Sequence, residues 1–303
     1  MKRIGVAGMV IAVWLTVTPC WSQVQAPRPK ITGIAFVRIK VTDEKAAQSF
    51  YNGVLRMPQI KSGCFGPSAE CLSVNITQQV DLVKIGGPST GRQIESVALF
   101  TSDVKGLRKY LASRGLHPGL LNSRSMVTSF QIEDPENHVL EFLQLNSNGI
   151  AGSISGGPPI AGKLIHAGWV VKDRGAMDKF YRDVLGFHLY WQGGMKDDRV
   201  DWVSMQVPDG TDWIEYMLNI PDNADKHLLG VMNHIALGVP SVREAAEQLK
   251  KNGMKLTEEP KIGRDGKWQL NLYDPDDTRV ELMEFTPVEK PCCSEFTGTH
   301  PKP

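Results

Sequence analysis

Hydrophobic and polar positions along the second half of the chain switch repeatedly between two periods. Leu164 to Val171 is a short apolar, β-branched run, and Met177, Phe180, Tyr181, Val184 and Leu185 then fall on one helical face. A strand followed by a helix over 177–187 is predicted. Trp202–Val207 and Trp213–Leu218 alternate with period two and meet across Pro208-Asp209-Gly210, a hairpin signal. The same order begins again at His234–Val239. Its helix opens with the capping box Ser241-Val242-Arg243-Glu244 and ends at Gly253. Gln269–Tyr273 and Arg279–Phe285, joined across Asp274–Asp277, complete it. The pattern is βαβββ, twice.

The whole unit recurs. Val41-Thr42-Asp43, Phe50-Tyr51 and Val54-Leu55 return without a gap as Val171-Lys172-Asp173, Phe180-Tyr181 and Val184-Leu185. Val97-Ala98-Leu99 with Val104 matches Ile235-Ala236-Leu237 with Val242. Asp134-Pro135 with Glu141 matches Asp274-Pro275 with Glu281. An α+β fold follows, with tandem duplicated domains over 27–147 and 163–287, a Gly/Ser/Pro linker over 148–162 and a tail over 288–303. In each domain the two modules are expected to curl into a mixed sheet around a concave face, with helices outside.

With 303 residues, 41% hydrophobic and 22% charged, the chain is long enough for two cores. A net charge of +1 excludes a global field for nucleic acid or anionic lipid. The N-terminus changes the picture more. Met1-Lys2-Arg3 precedes an apolar run from Ile4 to Val17 that breaks at Thr18-Pro19, so residues 1–26 are read as a cleaved signal peptide. The run is shorter than the ~20 residues of a spanning helix, so no permanent span is expected after cleavage. The expected location is secreted or periplasmic, where disulfides form. Cys64 and Cys71 flank a loop-forming stretch and are expected to pair. Cys292 and Cys293 are left open between a partner chain, a metal and the reduced state.

One residue on each of four strands completes the chemistry. His166 lies on the first strand of the second domain, Glu215 on its fourth, His234 on its fifth and Glu281 on its eighth. One His on each module's first strand and one Glu on each last strand suit a borderline divalent metal with room for water. Parity with the glutamates puts Trp213, Met217, Met232 and Met283 on the same side, an apolar lining with Arg279 at one edge. His117, His138, His188, His227 and His300 lack such companions and are read as surface or loop residues.

Leu164-Ile165-His166, Trp213-Ile214-Glu215, Asn233-His234-Ile235-Ala236-Leu237 and Asp274-Pro275 through Val280-Glu281-Leu282-Met283-Glu284 resemble the vicinal oxygen chelate superfamily, and within it bacterial glyoxalase I. The resemblance implies one divalent metal ion, Ni, Co, Zn, Mn or Fe, on His166, Glu215, His234 and Glu281. It implies Glu281 as catalytic base and Glu215 as its counterpart, acting on a small molecule with two adjacent oxygens. Asn219 matches a substrate-binding asparagine of that family, but its glutathione-binding arginine is Val170 here, so a glutathione adduct is not expected. The first domain has Phe36, Asp81, Ser96 and Glu141 at the four places, which leaves one intact site per chain and makes a monomer or a homodimer complete. Two alternatives stay open. Extradiol ring-cleaving dioxygenases share the duplicated plan, although Glu215 is an extra ligand there and Arg264 to Asn271 lacks their histidine. Binding proteins of the bleomycin-resistance type share the fold without the metal set.

Overall fold

A computed structural model of the chain describes residues 1, 27–61, 64–65, 70–124, 126–146, 154–155 and 158–303. Residues 2–26, which carry the signal-peptide reading, lie outside the described residues. In the second half, strand Lys163–Val170 leads into helix Arg174–Asp178 and a wider helical turn, Lys179–Val184. Strands His188–Gly193, Trp202–Gln206 and Trp213–Met217 follow. The second module runs His234–Val239, helix Val242–Lys251, Lys261–Ile262, Trp268–Tyr273 and Arg279–Glu284. The first half repeats this order from Ile31–Val41 to Val139–Leu145. The fold is α+β and duplicated.

Side chains close the helices where the sequence suggested. Ser241 accepts from Glu244 N at 3.2 Å, and Gly253, at φ +88°, ends that helix in a conformation suited to glycine. The helix expected over 177–187 starts earlier, because Asp173 caps it by accepting from Ala176 N at 3.0 Å, and Gly186 at φ +79° follows its end. Helix Lys226–Met232, capped by Asp225, has no counterpart in the expectation. The linker is not wholly irregular, since Ile154–Ser155 pairs with Gln59–Ile60 at the edge of the first sheet.

Each half makes one curled sheet, nine-stranded in the first and eight-stranded in the second. The central pair in the second is Lys163–Val170 against His234–Val239, antiparallel. Each of these strands also pairs in parallel with the last strand of its own module, Trp213–Met217 or Arg279–Glu284. One apolar cluster runs through both halves, including Ile39 and Leu99 of the first and Leu164 and Leu237 of the second. Matched hydrogen bonds cross between them. Tyr51 donates to Asp274 at 3.0 Å and Tyr181 to Asp134 at 3.1 Å, while Gln78 accepts from Leu164 N and donates to Leu164 O, both at 2.9 Å. Among the described residues no helix is long and apolar enough to cross a membrane.

Candidate metal centre

Two rows of residues cross the middle of the second sheet. One reads Glu215, Gly168, His234 over three neighbouring strands, and the other His166, Ala236, Glu281. In each, a small residue stands between an imidazole and a carboxylate. A Cβ on Gly168 would lie 2.2 Å from His234 Cε1, so only glycine admits that ring. The antiparallel pairing of the two first strands brings the histidines, 68 positions apart, together, and the parallel pairing of each with its module's last strand adds a carboxylate on either side.

The donor atoms converge. His166 Nε2 and His234 Nε2 are 3.0 Å apart, and Glu215 Oε2 is 3.2 Å from His234 Nε2 and 3.7 Å from His166 Nε2. Glu281 Oε2 is 3.8 and 4.0 Å from the same two nitrogens. Ligands held ~2.1 Å from a shared ion are separated by about 3.0 Å when adjacent and about 4.2 Å when opposite. The five distances that involve an imidazole fall in that interval, and His166, Glu215 and His234 are the set whose donor atoms all lie within 4.8 Å of one another.

Burial drives both imidazoles well below their usual pKa. At His166 the Glu215 carboxylate opposes this, and at His234 the Arg279 charge reinforces it. Neutral His234 donates from Nδ1 to Met232 O at 3.1 Å, which leaves the Nε2 lone pair facing the site. Burial pushes the Glu281 carboxyl up to about 8, against the nearby Arg279 and with Glu215 and Asp265 adding to it. Neutral nitrogens beside a carboxylate reluctant to ionise are a donor set short of one cation. The residues therefore fit a divalent metal.

A cavity of about 320 Å³ opens over Glu215 and Glu281. Trp213, Met283 and Arg279 line it, as do Tyr190, Trp191 and Trp202. The Arg279 Nε is buried with no hydrogen-bond partner among the described residues. Three residues expected in the lining are elsewhere. Met217 pairs in register with Val170 and Trp202, buried two positions beyond Glu215. Asn219 sits at φ +61° in a turn, donating to Val200 O at 2.9 Å and Asp201 Oδ1 at 2.8 Å. Met232 ends a helix and contributes only its carbonyl, to His234.

The sequence reading missed two contributors. The first is Lys267, fully buried, whose Nζ lies 5.1, 5.0 and 5.2 Å from the ring centroids of Tyr190, Trp213 and Phe296. The second is the tail. Phe296 lines the cavity, Thr297 N donates to Tyr190 O at 3.0 Å, and His300 Nδ1 accepts from Tyr190 OH at 2.5 Å. His300 is thus part of the cavity wall's support, contrary to its reading as a surface residue. Cys292 and Cys293 are joined to each other, and Cys64 to Cys71 with Cα atoms 5.9 Å apart. A lysine and a Pro-rich tail carry no periodic signal, so nothing in one sequence announces them.

Residues 163–282 match the family model of the Glyoxalase/Bleomycin resistance protein/Dioxygenase superfamily. The match lies wholly within the second half of the chain. A probable chloroplastic lactoylglutathione lyase from Arabidopsis thaliana is 25% identical over 135 residues, which is 43% of this chain and 38% of that protein. The chain thus spans well under half the length of that relative. Likeness of fold extends further. The 2,3-dioxygenase LapB from Pseudomonas sp. KL28 superposes with a TM-score of 0.64 at 15% identity, over 91% of this chain and 96% of that one. An extradiol ring-cleaving dioxygenase from B. fuscum gives 0.63 at 17% identity over 85% and 73%. At such identities the likeness is one of fold alone, and it takes in both halves.

Proposed function

We propose that the chain is an exported, metal-dependent enzyme with glyoxalase I-like isomerase or lyase chemistry on a small molecule bearing two adjacent oxygens, other than a glutathione adduct. The observation that carries it is the convergence of His166, Glu215 and His234 under a cavity, with Glu281 within 4.0 Å of both imidazoles. These four residues would hold one divalent ion, Ni, Co, Zn, Mn or Fe, on the cavity side open to the substrate's oxygens. The ion would supply Lewis acidity that makes a C–H beside a carbonyl acidic.

The remaining work falls to the chain itself. Glu281 takes the proton on a carboxylate oxygen, and its preference for the protonated state in this buried place matches the role of a base working near neutrality. Glu215, the same position in the other module, is its counterpart for return of the proton. Trp191, Trp202, Trp213 and Tyr190 exclude water, and Arg279 offers an unengaged guanidinium Nε to an anionic group of the substrate.

Ring cleavage by an extradiol dioxygenase is the second reading, favoured by the likeness of fold over both halves. Metal content separates the two. The wild type, purified from its native compartment, is expected to hold about one divalent ion per chain, and His234→Ala none. Iron would direct the reading toward ring cleavage; nickel, cobalt or zinc support isomerase-type chemistry. No metal in either protein, with all these ions offered, would overturn both and leave a binding module. Glu281→Gln is expected to lower turnover roughly 10²- to 10⁴-fold on a responsive vicinal-oxygen compound.

A further inference from the structure

The first half has its own version of the site. Register shows the equivalence pair by pair. Phe36 opposes Ala98 as His166 opposes Ala236, and Ala98 opposes Glu141 as Ala236 opposes Glu281. Arg38 opposes both Ser96 and Asp81, just as Gly168 opposes both His234 and Glu215. The position that must be glycine in the second half is therefore arginine in the first.

We infer that the Arg38 guanidinium is the resident cation of the first half's site, standing in for a metal that this half no longer binds. The side chain is buried, and it touches all four corresponding positions. Its Nη2 is 3.7 Å from Asp81 Oδ2, and its Nη1 is 4.0 Å from Glu141 Oε2 and 3.5 Å from Ser96 Oγ. Its Cζ lies 5.0 Å from the centroid of the Phe36 ring. Glu95 adds a contact at 3.9 Å. Phe36 offers no donor and Ser96 only a neutral hydroxyl, so what remains of the old set is two buried carboxylates. Two such charges need a cation. A divalent ion would have to displace a guanidinium tethered to the same strand, and the ring of Phe65, fully buried and 6.4 Å from that of Phe36, fills the concave face beside it.

The exchange at one position accounts for both states. Glycine at 168 leaves room for His234 and hence for a metal. Arginine at 38 occupies that room, and serine at 96 is small enough to permit it. The first half keeps its shape without metal and presents a permanently filled face.

Thermal melting of full-length variants tests this. Arg38→Met removes the guanidinium from beside buried Asp81 and Glu141 and is expected to lower Tm by roughly 5–15 °C. Adding Asp81→Asn to it is expected to restore about half of that loss or more, whereas Asp81→Asn alone lowers Tm. If Arg38→Met does not fold, Arg38→Lys, which keeps the charge without the planar fork, is read against Asp81→Asn in the same cycle. Additive losses would overturn the proposal. So would a wild type holding two divalent ions per chain, one of them lost in Asp81→Asn. The cycle does not depend on the second half. A wild type without metal but with strong Arg38–Asp81 coupling would overturn the metal centre proposed above and support the assignment of Arg38.

Discussion

Lys267 is a full charge removed from water and surrounded by the faces of three aromatic rings, with Tyr190 OH as its hydrogen-bond acceptor at 3.0 Å. Burial brings its pKa down to about 8, against the pull of Asp265 and of Glu281 and Glu215. The unfolded chain holds the proton up to about 10.5, so between pH 8 and 10.5 the unfolded state binds more protons and stability rises with pH. Below pH 8 the whole cost is present, about 3 kcal/mol. Lys267→Met removes the titration, and its stability relative to wild type is expected to fall by about that amount as pH rises from 7 to 10.5. Urea denaturation at pH 7, 9 and 10.5 measures it; a pH-independent difference would mean that the ammonium is solvated in the fold. A cost of this kind is tolerated where the charge serves the site. Here it fixes Tyr190 and favours ionisation of Glu281 against the burial that opposes it.

At the scale of elements, the strands and capped helices of both domains were legible because their signals are local. Alternation over Trp202–Val207, the capping box at Ser241 and the glycine at 253 each state a physical preference within a few residues. The positions of the four donors were legible for a different reason, since the duplication repeats each module's first and last strands. The tail was not legible. Its role depends on contacts with strand His188–Gly193, about a hundred residues earlier: Gln192 N donates to Ser294 Oγ at 3.0 Å and Trp191 Nε1 to Cys292 O at 3.2 Å. Nor does parity state how far along a strand a cavity extends, which is why Met217 faces its neighbours rather than the opening. Because the tail attaches along one strand and supplies Phe296, ending the chain after Lys290 is expected to expose Tyr190 and Trp213 without unfolding either sheet. Fluorescence of a bound hydrophobic dye should rise several-fold with far-UV circular dichroism unchanged. An unchanged dye signal would show that the tail does not cover the cavity.

The whole molecule is held by a pseudo-twofold arrangement in which each half caps the other. Tyr51 of the first half reaches the Asp274 turn of the second, and Tyr181 of the second reaches the Asp134 turn of the first; all four groups are buried. Each aspartate also binds backbone N–H groups of its own turn, Asp276 and Thr278 for Asp274, Glu136 and His138 for Asp134. Removing the Tyr51 hydroxyl thus leaves buried Asp274 short of a donor, at about 1–3 kcal/mol, and removing that of Tyr181 costs less because the His138 ring also reaches Asp134 Oδ2, at 2.9 Å. Since the apolar cluster is continuous across the halves, the wild type is expected to unfold in one transition. Tyrosine loss at both places weakens the coupling between halves more than either half's own packing, so the double variant Tyr51→Phe/Tyr181→Phe is expected to unfold in two steps. The sequence provides a probe for this. Beyond residue 26 every tryptophan, Trp169, Trp191, Trp202, Trp213 and Trp268, lies in the second half, so tryptophan fluorescence follows that half alone while far-UV circular dichroism follows both. Coincident midpoints in the wild type and separated ones in the double variant are expected. Coincidence in both would mean that the shared apolar cluster alone couples the halves, and separation already in the wild type would mean that the first half, with its built-in cation, is stable independently of the half that carries the candidate metal ligands.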